Sequence, residues 1–221
     1  MIKIAPSILA ADPINLERDV IAVEKAGCDW IHIDVMDAHF VPNLAYSPAV
    51  VRRLREITAL PLDVHLMMDH PDTLAGAFLD AGADILTIHA EADTDIRAML
   101  GTIHSRGRLG GIAVKPGTDL DTVRPYLDEA DLVLAMTVEP GFGGQKLDER
   151  VIGKIRALRD EGYRGMIEAD GGIREDNVCK LVMNGLSVAV MGTALFRADD
   201  MGAYIGRIRT ECGKNSTCGA E

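Results

Sequence analysis

The chain has 221 residues, 48% hydrophobic but only 4% aromatic, enough for one domain with a core of aliphatic side chains, and this excludes a disordered polymer. Its net charge of −11, from 23 basic against 34 acidic residues, excludes a general nucleic-acid binder and requires local donors for any anionic substrate. No apolar run reaches the roughly 18 to 20 residues of a membrane span. The opening "MIKIAPSILA" has neither a leader's apolar run with a cleavage site nor an Arg-rich amphipathic stretch, so the chain reads as cytoplasmic and its start as a first strand.

Short aliphatic runs alternate with helical stretches from one end to the other. The pattern predicts a strand at 2–7, a helix at 15–26, a strand at 30–35 and a helix at 48–57. Next come a strand at 62–67, a helix at 72–81, a strand at 85–89 and a helix at 95–106. The second half predicts strands at 110–114, 132–136, 166–169 and 188–191, with helices at 120–127, 148–161, 177–184 and 201–210. Ser47-Pro48 is an N-cap followed by proline in the first turn. Glycines such as Gly82, Gly162 and Gly185 follow helical runs, as C-terminal caps do. Eight βα units in one domain predict a single-domain α/β fold, the (β/α)8 TIM barrel, over residues 1–210, followed by a poorly ordered tail at 211–221. A doubly wound open sheet is the competing fold, and no GxGxxG follows the first strand to support it.

Four cysteines show no CxxC spacing. Cys28 and Cys179 adjoin apolar runs and read as core thiols; Cys212 and Cys218 fall in the tail, where unpaired thiols are the usual outcome in a reducing compartment.

The segment "IHIDVMDAHF" breaks the pattern of an apolar strand. Alternate residues of a strand share a face, so His32, Asp34 and Met36 point one way while Ile31, Ile33 and Val35 point the other. "LDVHLMM" repeats the device with His65 and Met67, and "IEADGG" ends the seventh predicted strand at Asp170. In a barrel the active site lies at the C-terminal strand ends. His32, Asp34, His65 and Asp170 therefore converge there as candidate ligands of one divalent metal ion per subunit, and imidazole with carboxylate suits zinc, iron(II), manganese or cobalt. A single inward histidine or aspartate is more often a hydrogen-bonded core residue; four at one barrel end are harder to explain that way. Glycine-rich "EPGFGGQ" (139–145), "DGGI" (170–173) and "MGTALF" (191–196) follow the sixth to eighth predicted strands and offer backbone N–H groups to an anion such as phosphate. His39, His70, His89 and His104 read as structural or exposed.

The motifs "APSILAAD", "WIHIDVMDAHFVPN", "PLDVHLMM", "KPGT", "MTVEPGFGGQK", "EADGGI" and "MGTALF" occur in this order between residues 4 and 197. Together they resemble the ribulose-phosphate 3-epimerase family. The resemblance implies a (β/α)8 fold, a divalent metal and interconversion of D-ribulose 5-phosphate with D-xylulose 5-phosphate in the pentose phosphate pathway. It also implies Asp34 and Asp170 as the acid/base pair as well as ligands, and Ser7 as a substrate contact along with His65. Gly141, Phe142, Gly143 and Gly144 would close over the substrate, and Gly171, Gly172, Gly192 and Thr193 would hold its phosphate. Met36, Met67 and Met136 would wall the cavity, although core filler is the commoner role of methionine. Ala38 departs from a usual glycine, Thr193 from a common serine and "EADGG" from "EVDGG". Competing readings are an epimerase of another ketose phosphate such as D-allulose 6-phosphate, and a non-catalytic sugar-phosphate binding module. A metal-independent decarboxylase of similar fold is disfavoured, since no Asp-x-Lys-x-x-Asp arrangement is present. The expected partner is a small phosphosugar, with no nucleic acid and no membrane, and exposed barrel faces point to a homo-oligomer.

Overall fold

The structure, a computed structural model, describes the backbone of residues 1–217 and side chains as far as Lys214. Among the described residues, nine strands form one sheet: β1 (Lys3–Pro6), β2 (Ile31–Asp37), β3 (Leu44–Ala45), β4 (Leu62–Met67), β5 (Ile85–His89), β6 (Leu109–Val114), β7 (Leu132–Met136), β8 (Met166–Asp170) and β9 (Val188–Met191). Their order is β1-β9-β8-β7-β6-β5-β4-β2-β3, parallel throughout except for β3. The N–H groups of Asp29 and Trp30 both donate to the Ile4 carbonyl, and Ser7 bridges His32, so β1 returns to β2 and the sheet closes as the predicted barrel.

Helices α1 (Leu16–Lys25), α2 (Pro48–Ile57), α3 (Asp72–Ala81), α4 (Ile96–Ser105), α5 (Val151–Asp160), α6 (Val178–Met183), α7 (Thr193–Phe196) and α8 (Met201–Thr217) alternate with the strands. Asp95 caps α4, its carboxylate accepting from the Ala98 N–H at 3.0 Å. The period of two sorts every strand. Ile31, Ile33, Leu62, Val64 and Leu66 face the helices and join the main core. Ala5, Ile85, Leu132, Leu134, Val188 and Val190 fill the barrel's interior. Together these layers leave the C-terminal strand ends as the place for polar inward residues. No helix of the described residues is long and apolar enough to cross a membrane.

Four features depart from the sequence reading. The helix predicted at 120–127 is instead two 3-10 turns, Leu120–Thr122 and Arg124–Tyr126. Pro125 has no N–H to give a continuous α-helical ladder there. After β2 the chain doubles back to form β3, pairing Met36 with Ala45 and Asp37 with Leu44, through Ala38 at a left-handed φ of 62°. Glycine, which the resemblance leads one to expect at this position, adopts such a φ without cost. The last helix does not stop at Thr210 but runs through Thr217, so the first part of the expected tail is helical. Finally, Cys179 is not a free core thiol: it forms a disulfide with Cys212, and Cys28 alone among the described cysteines is free and buried. Packing of α6 against α8 brings the two Cα atoms to 4.9 Å, within bridging range. Cys218 lies outside the described residues.

Candidate active site

Strand register assembles the centre. In the parallel pair β2–β4, His32 stands beside Asp63, Asp34 beside His65 and Met36 beside Met67. In β7–β8, Leu134 stands beside Glu168 and Met136 beside Asp170. Each of these points inward by the alternation of its strand. One ligand-type atom from each of His32, Asp34, His65 and Asp170 lies within 4.8 Å of the others. Asp34 Oδ1 is 3.4 Å from His32 Nε2 and 3.5 Å from His65 Nδ1. The Ser7 hydroxyl donates to Asp34 Oδ2 at 2.5 Å and sets the rotation of that carboxylate.

Around this centre lies a second set that the sequence reading did not single out. His32 Nδ1 meets Asp63 Oδ2 at 2.6 Å and lies 3.7 Å from Glu168 Oε1. His65 Nε2 meets His89 Nε2 at 2.9 Å, and His89 Nδ1 meets Glu91 Oε2 at 3.0 Å. Asp63, His89 and Glu168 are fully buried. The signal for two of them was present: Asp63 precedes His65 and Glu168 precedes Asp170 by two, the period of a strand face. Asp37 is taken up by the loops after β2 and β4, accepting the N–H groups of His39, Phe40 and Asp69.

Charge is divided unequally across the centre. Burial opposes ionisation of both aspartates. For Asp34 the neighbouring imidazoles, His32 first and then His65, outweigh it, holding the carboxyl far below the ordinary range. For Asp170 burial and the Asp34 charge add, pushing it up to about 7. Burial disfavours the imidazolium of His32, but Asp63 and Asp34 more than offset it and raise its pKa. Burial dominates at Glu168, with the Asp63 charge reinforcing it, and raises its pKa well above the ordinary carboxylate range. His89 is pushed down to about 4 by burial. Glu91 is held at about 2, because hydrogen bonds from His89, Thr118 and the Lys115 N–H overcome its burial.

The donor set fits a divalent first-row metal. His32 Nε2 and His65 Nδ1 are buried, face the cluster and have no hydrogen-bond partner. An orphaned buried polar group costs roughly 1–3 kcal/mol, a cost that coordination removes. Ligand atoms about 2.1 Å from a common tetrahedral ion lie roughly 3.4 Å apart, which matches the 3.4 and 3.5 Å separations above. Two nitrogens with carboxylate oxygens suit zinc or its neighbours better than magnesium or calcium.

Above the centre opens a cavity of about 300 Å³. Its lining includes Ser7, Asp34, Asp170, the three methionines Met36, Met67 and Met136, Gly141 to Gly144, Gly171, Gly172, Gly192 and Thr193. His32 and His65 do not line it; they sit beneath its floor at 0% exposure. Arg174 and Arg197 also reach the lining, and the sequence reading did not name them. Both follow glycine loops in the chain, Arg174 after Gly171-Gly172 and Arg197 after Gly192-Thr193. Asn43 donates its side-chain amide to the Gly141 carbonyl at 2.7 Å, tying the β2–β3 loop to the glycine loop after β7. Phe142 on that loop is 55% exposed.

Fold and site define a (β/α)8-barrel protein whose polar centre, able to hold a metal ion, lies under a cavity of small-molecule size. The family model described as "Ribulose-phosphate 3 epimerase family" matches residues 3–196. Ribulose-phosphate 3-epimerase of Bacillus subtilis is 42% identical over 214 residues, covering 95% of this chain and 99% of its own. The chloroplastic ribulose-5-phosphate-3-epimerase of Arabidopsis thaliana is 44% identical over 214 residues, covering 94% of this chain and 76% of its own. This chain belongs to the ribulose-phosphate 3-epimerase family. The barrel itself recurs in KGPDC of Streptococcus mutans, at a TM-score of 0.73 and 14% identity over 96% of this chain and 98% of that one. It recurs too in 3-hexulose-6-phosphate synthase of Salmonella typhimurium, at a TM-score of 0.69 and 19% identity over 96% and 99%.

Proposed function

We propose that this protein is a metal-dependent 3-epimerase that interconverts D-ribulose 5-phosphate and D-xylulose 5-phosphate by proton transfer between two aspartates and the sugar. The observation that carries the reading is the meeting of Asp34 and Asp170 in one centre at the cavity floor, the first held far below the ordinary carboxylate range and the second pushed up to about 7. Inverting a carbon beside a carbonyl needs a base on one face and an acid on the other. Asp34, held far below the ordinary carboxylate range, accepts the C3 proton, and Asp170, its pKa pushed up to about 7, delivers one to the opposite face; in the reverse direction the roles exchange. Ser7 orients Asp34 through its hydrogen bond.

His32, Asp34, His65 and Asp170 would hold one divalent cation per subunit, zinc, iron(II), manganese or cobalt. When bound, it supplies Lewis-acid stabilisation of the negative charge that develops on the substrate's oxygens. Met36, Met67 and Met136 exclude water, so that no stray proton reaches the planar intermediate. Gly171, Gly172, Gly192 and Thr193 receive the phosphate through backbone N–H groups and a hydroxyl, and Gly141, Phe142, Gly143 and Gly144 close over the sugar. The setting is a cytoplasmic homo-oligomer.

The test follows Asp34→Asn with ribulose 5-phosphate and allulose 6-phosphate in deuterated water. The wild type should prefer ribulose 5-phosphate and place solvent deuterium at C3. The variant should lose at least about 100-fold in turnover, the low end for an acid–base group. Near-normal turnover of the variant, or retention of the original C3 hydrogen by the wild type, refutes the proposal.

A further inference from the structure

The two imidazoles of the centre are held from behind in different ways. His32 is backed directly by a carboxylate, Asp63, at 2.6 Å. His65 is backed by a second imidazole, with 2.9 Å between its Nε2 and that of His89. Two ring nitrogens in a hydrogen bond share one proton, so one donates and the other accepts. The direction is decided one step further out. His89 Nδ1 faces Glu91 Oε2 at 3.0 Å, and an ionised carboxylate can only accept. A neutral His89 therefore carries its proton on Nδ1 and turns the lone pair of Nε2 towards His65. His65 then donates from Nε2, and its lone pair lies on Nδ1, the buried nitrogen without a partner that faces Asp34.

We propose that His89 and Glu91 are positioning residues for this centre: the chain Glu91–His89–His65 fixes His65 in the tautomer and ring orientation that offer Nδ1 to a divalent cation. The inference rests on the metal reading above and deepens it.

The surroundings hold the chain still. His65 and His89 lie on the adjacent parallel strands β4 and β5, and His65 stands beside Thr87, two residues before His89. Their rings stack at 4.9 Å with 29° between planes. Glu91 Oε1 accepts the Lys115 N–H at 2.9 Å, which anchors the carboxylate at the start of the chain. Phe40, from the loop after β2, lies 4.6 Å from the His89 ring and carries the Lys115 ammonium 3.9 Å from its own centroid. Water is thereby kept from the imidazole pair, whose residues are both 0% exposed. A partner behind a ligating histidine typically changes metal affinity 10- to 100-fold.

The experiment uses the full chain, metal-free and loaded with zinc(II), at pH 8. Long-range nitrogen–proton correlation spectra report the tautomers of His65 and His89, and competition with a chromophoric chelator reports zinc(II) affinity. In the wild type, His65 should be protonated on Nε2 and His89 on Nδ1. His89→Leu should bind zinc(II) about 10- to 100-fold more weakly. His89→Gln, whose amide oxygen can still accept, should recover most of that loss, and Glu91→Gln, able to donate to His89 and reverse the chain, should bind more weakly than the wild type. Protonation of wild-type His65 on Nδ1 overturns the proposal even if His89→Leu fails to fold, and so does unchanged affinity in a folded His89→Leu. If the wild type itself binds no zinc(II), the metal reading fails and the cation role of this chain fails with it; the spectra still decide the tautomers.

Discussion

Replacing Gly172 by alanine should destabilise the protein by about 3 kcal/mol, whereas the same change at Gly143 should be almost silent, although both belong to glycine-rich loops. Gly172 sits at a φ of +64°, and a Cβ there would lie 2.5 Å from the Leu147 nitrogen and 2.7 Å from the Gln145 carbonyl oxygen. The left-handed conformation costs an L-residue roughly 1–2 kcal/mol. Neither neighbour is a side chain that can swing aside, so the backbone must shift, at roughly 1–3 kcal/mol. Alanine returns about 0.4–1 kcal/mol by stiffening the unfolded chain, which leaves a net loss near 3 kcal/mol. At Gly143 a Cβ would find its nearest neighbour, Thr193 Oγ1, at 4.0 Å, and φ is not positive. For a chain of this size each kcal/mol moves Tm by roughly 2–4 °C. Gly172→Ala should therefore lower Tm by about 10 °C, and Gly143→Ala should leave it unchanged while altering KM if that loop closes over substrate. Thermal unfolding followed by circular dichroism decides the matter: a Gly172→Ala shift below about 2 °C refutes the packing argument.

Chelation should abolish turnover, and zinc(II) or iron(II) should restore it; full activity in a sample shown by elemental analysis to be metal-free would contradict the metal role. Asp170 titrates near 7 in the fold because of burial and the Asp34 charge, against 3.8 ordinarily. Its native state thus holds a proton that the unfolded chain has lost between about pH 4 and 7, a contribution to stability present below that window and lost as pH rises through 7. In metal-free protein, Asp170→Asn should gain on the wild type across that window with a slope of at most about 1.4 kcal/mol per pH unit, and parallel urea-denaturation profiles would refute it. Reducing Cys179–Cys212, which are separated by 33 positions, should cost roughly 3–4 kcal/mol by loop closure. Cys179→Ser should reproduce the loss, and a urea midpoint indifferent to reductant would refute the pairing.

Much of the centre was legible because strand alternation is a local property. His32 and Asp34 share a face by spacing alone, as do His65 and Met67, and the same arithmetic would have found Asp63 and Glu168 had the residue two before each ligand been considered. By sequence alone His89 reads as structural or exposed, since nothing local distinguishes a histidine that backs another histidine on the neighbouring strand from one that fills core. The helix expected at 120–127 failed for a local reason, the proline at 125, which outweighed the apolar spacing around it. Ala38 shows the reverse: the departure from glycine was visible, but the left-handed backbone it must adopt was not.

The amino-acid sequence by itself determined the number of βα units, the barrel, and the inward face of each strand, because periods of two and 3.6 are fixed by neighbours along the chain. Only the tertiary structure decided which inward residues meet. Closure of β1 on β2 brings Ser7 to Asp34, the register of β4 against β5 puts His89 behind His65, and docking of α8 on α6 joins Cys179 to Cys212. Contacts of that kind link residues far apart in the chain, so their partners are set by register and packing across elements, which no local periodicity encodes.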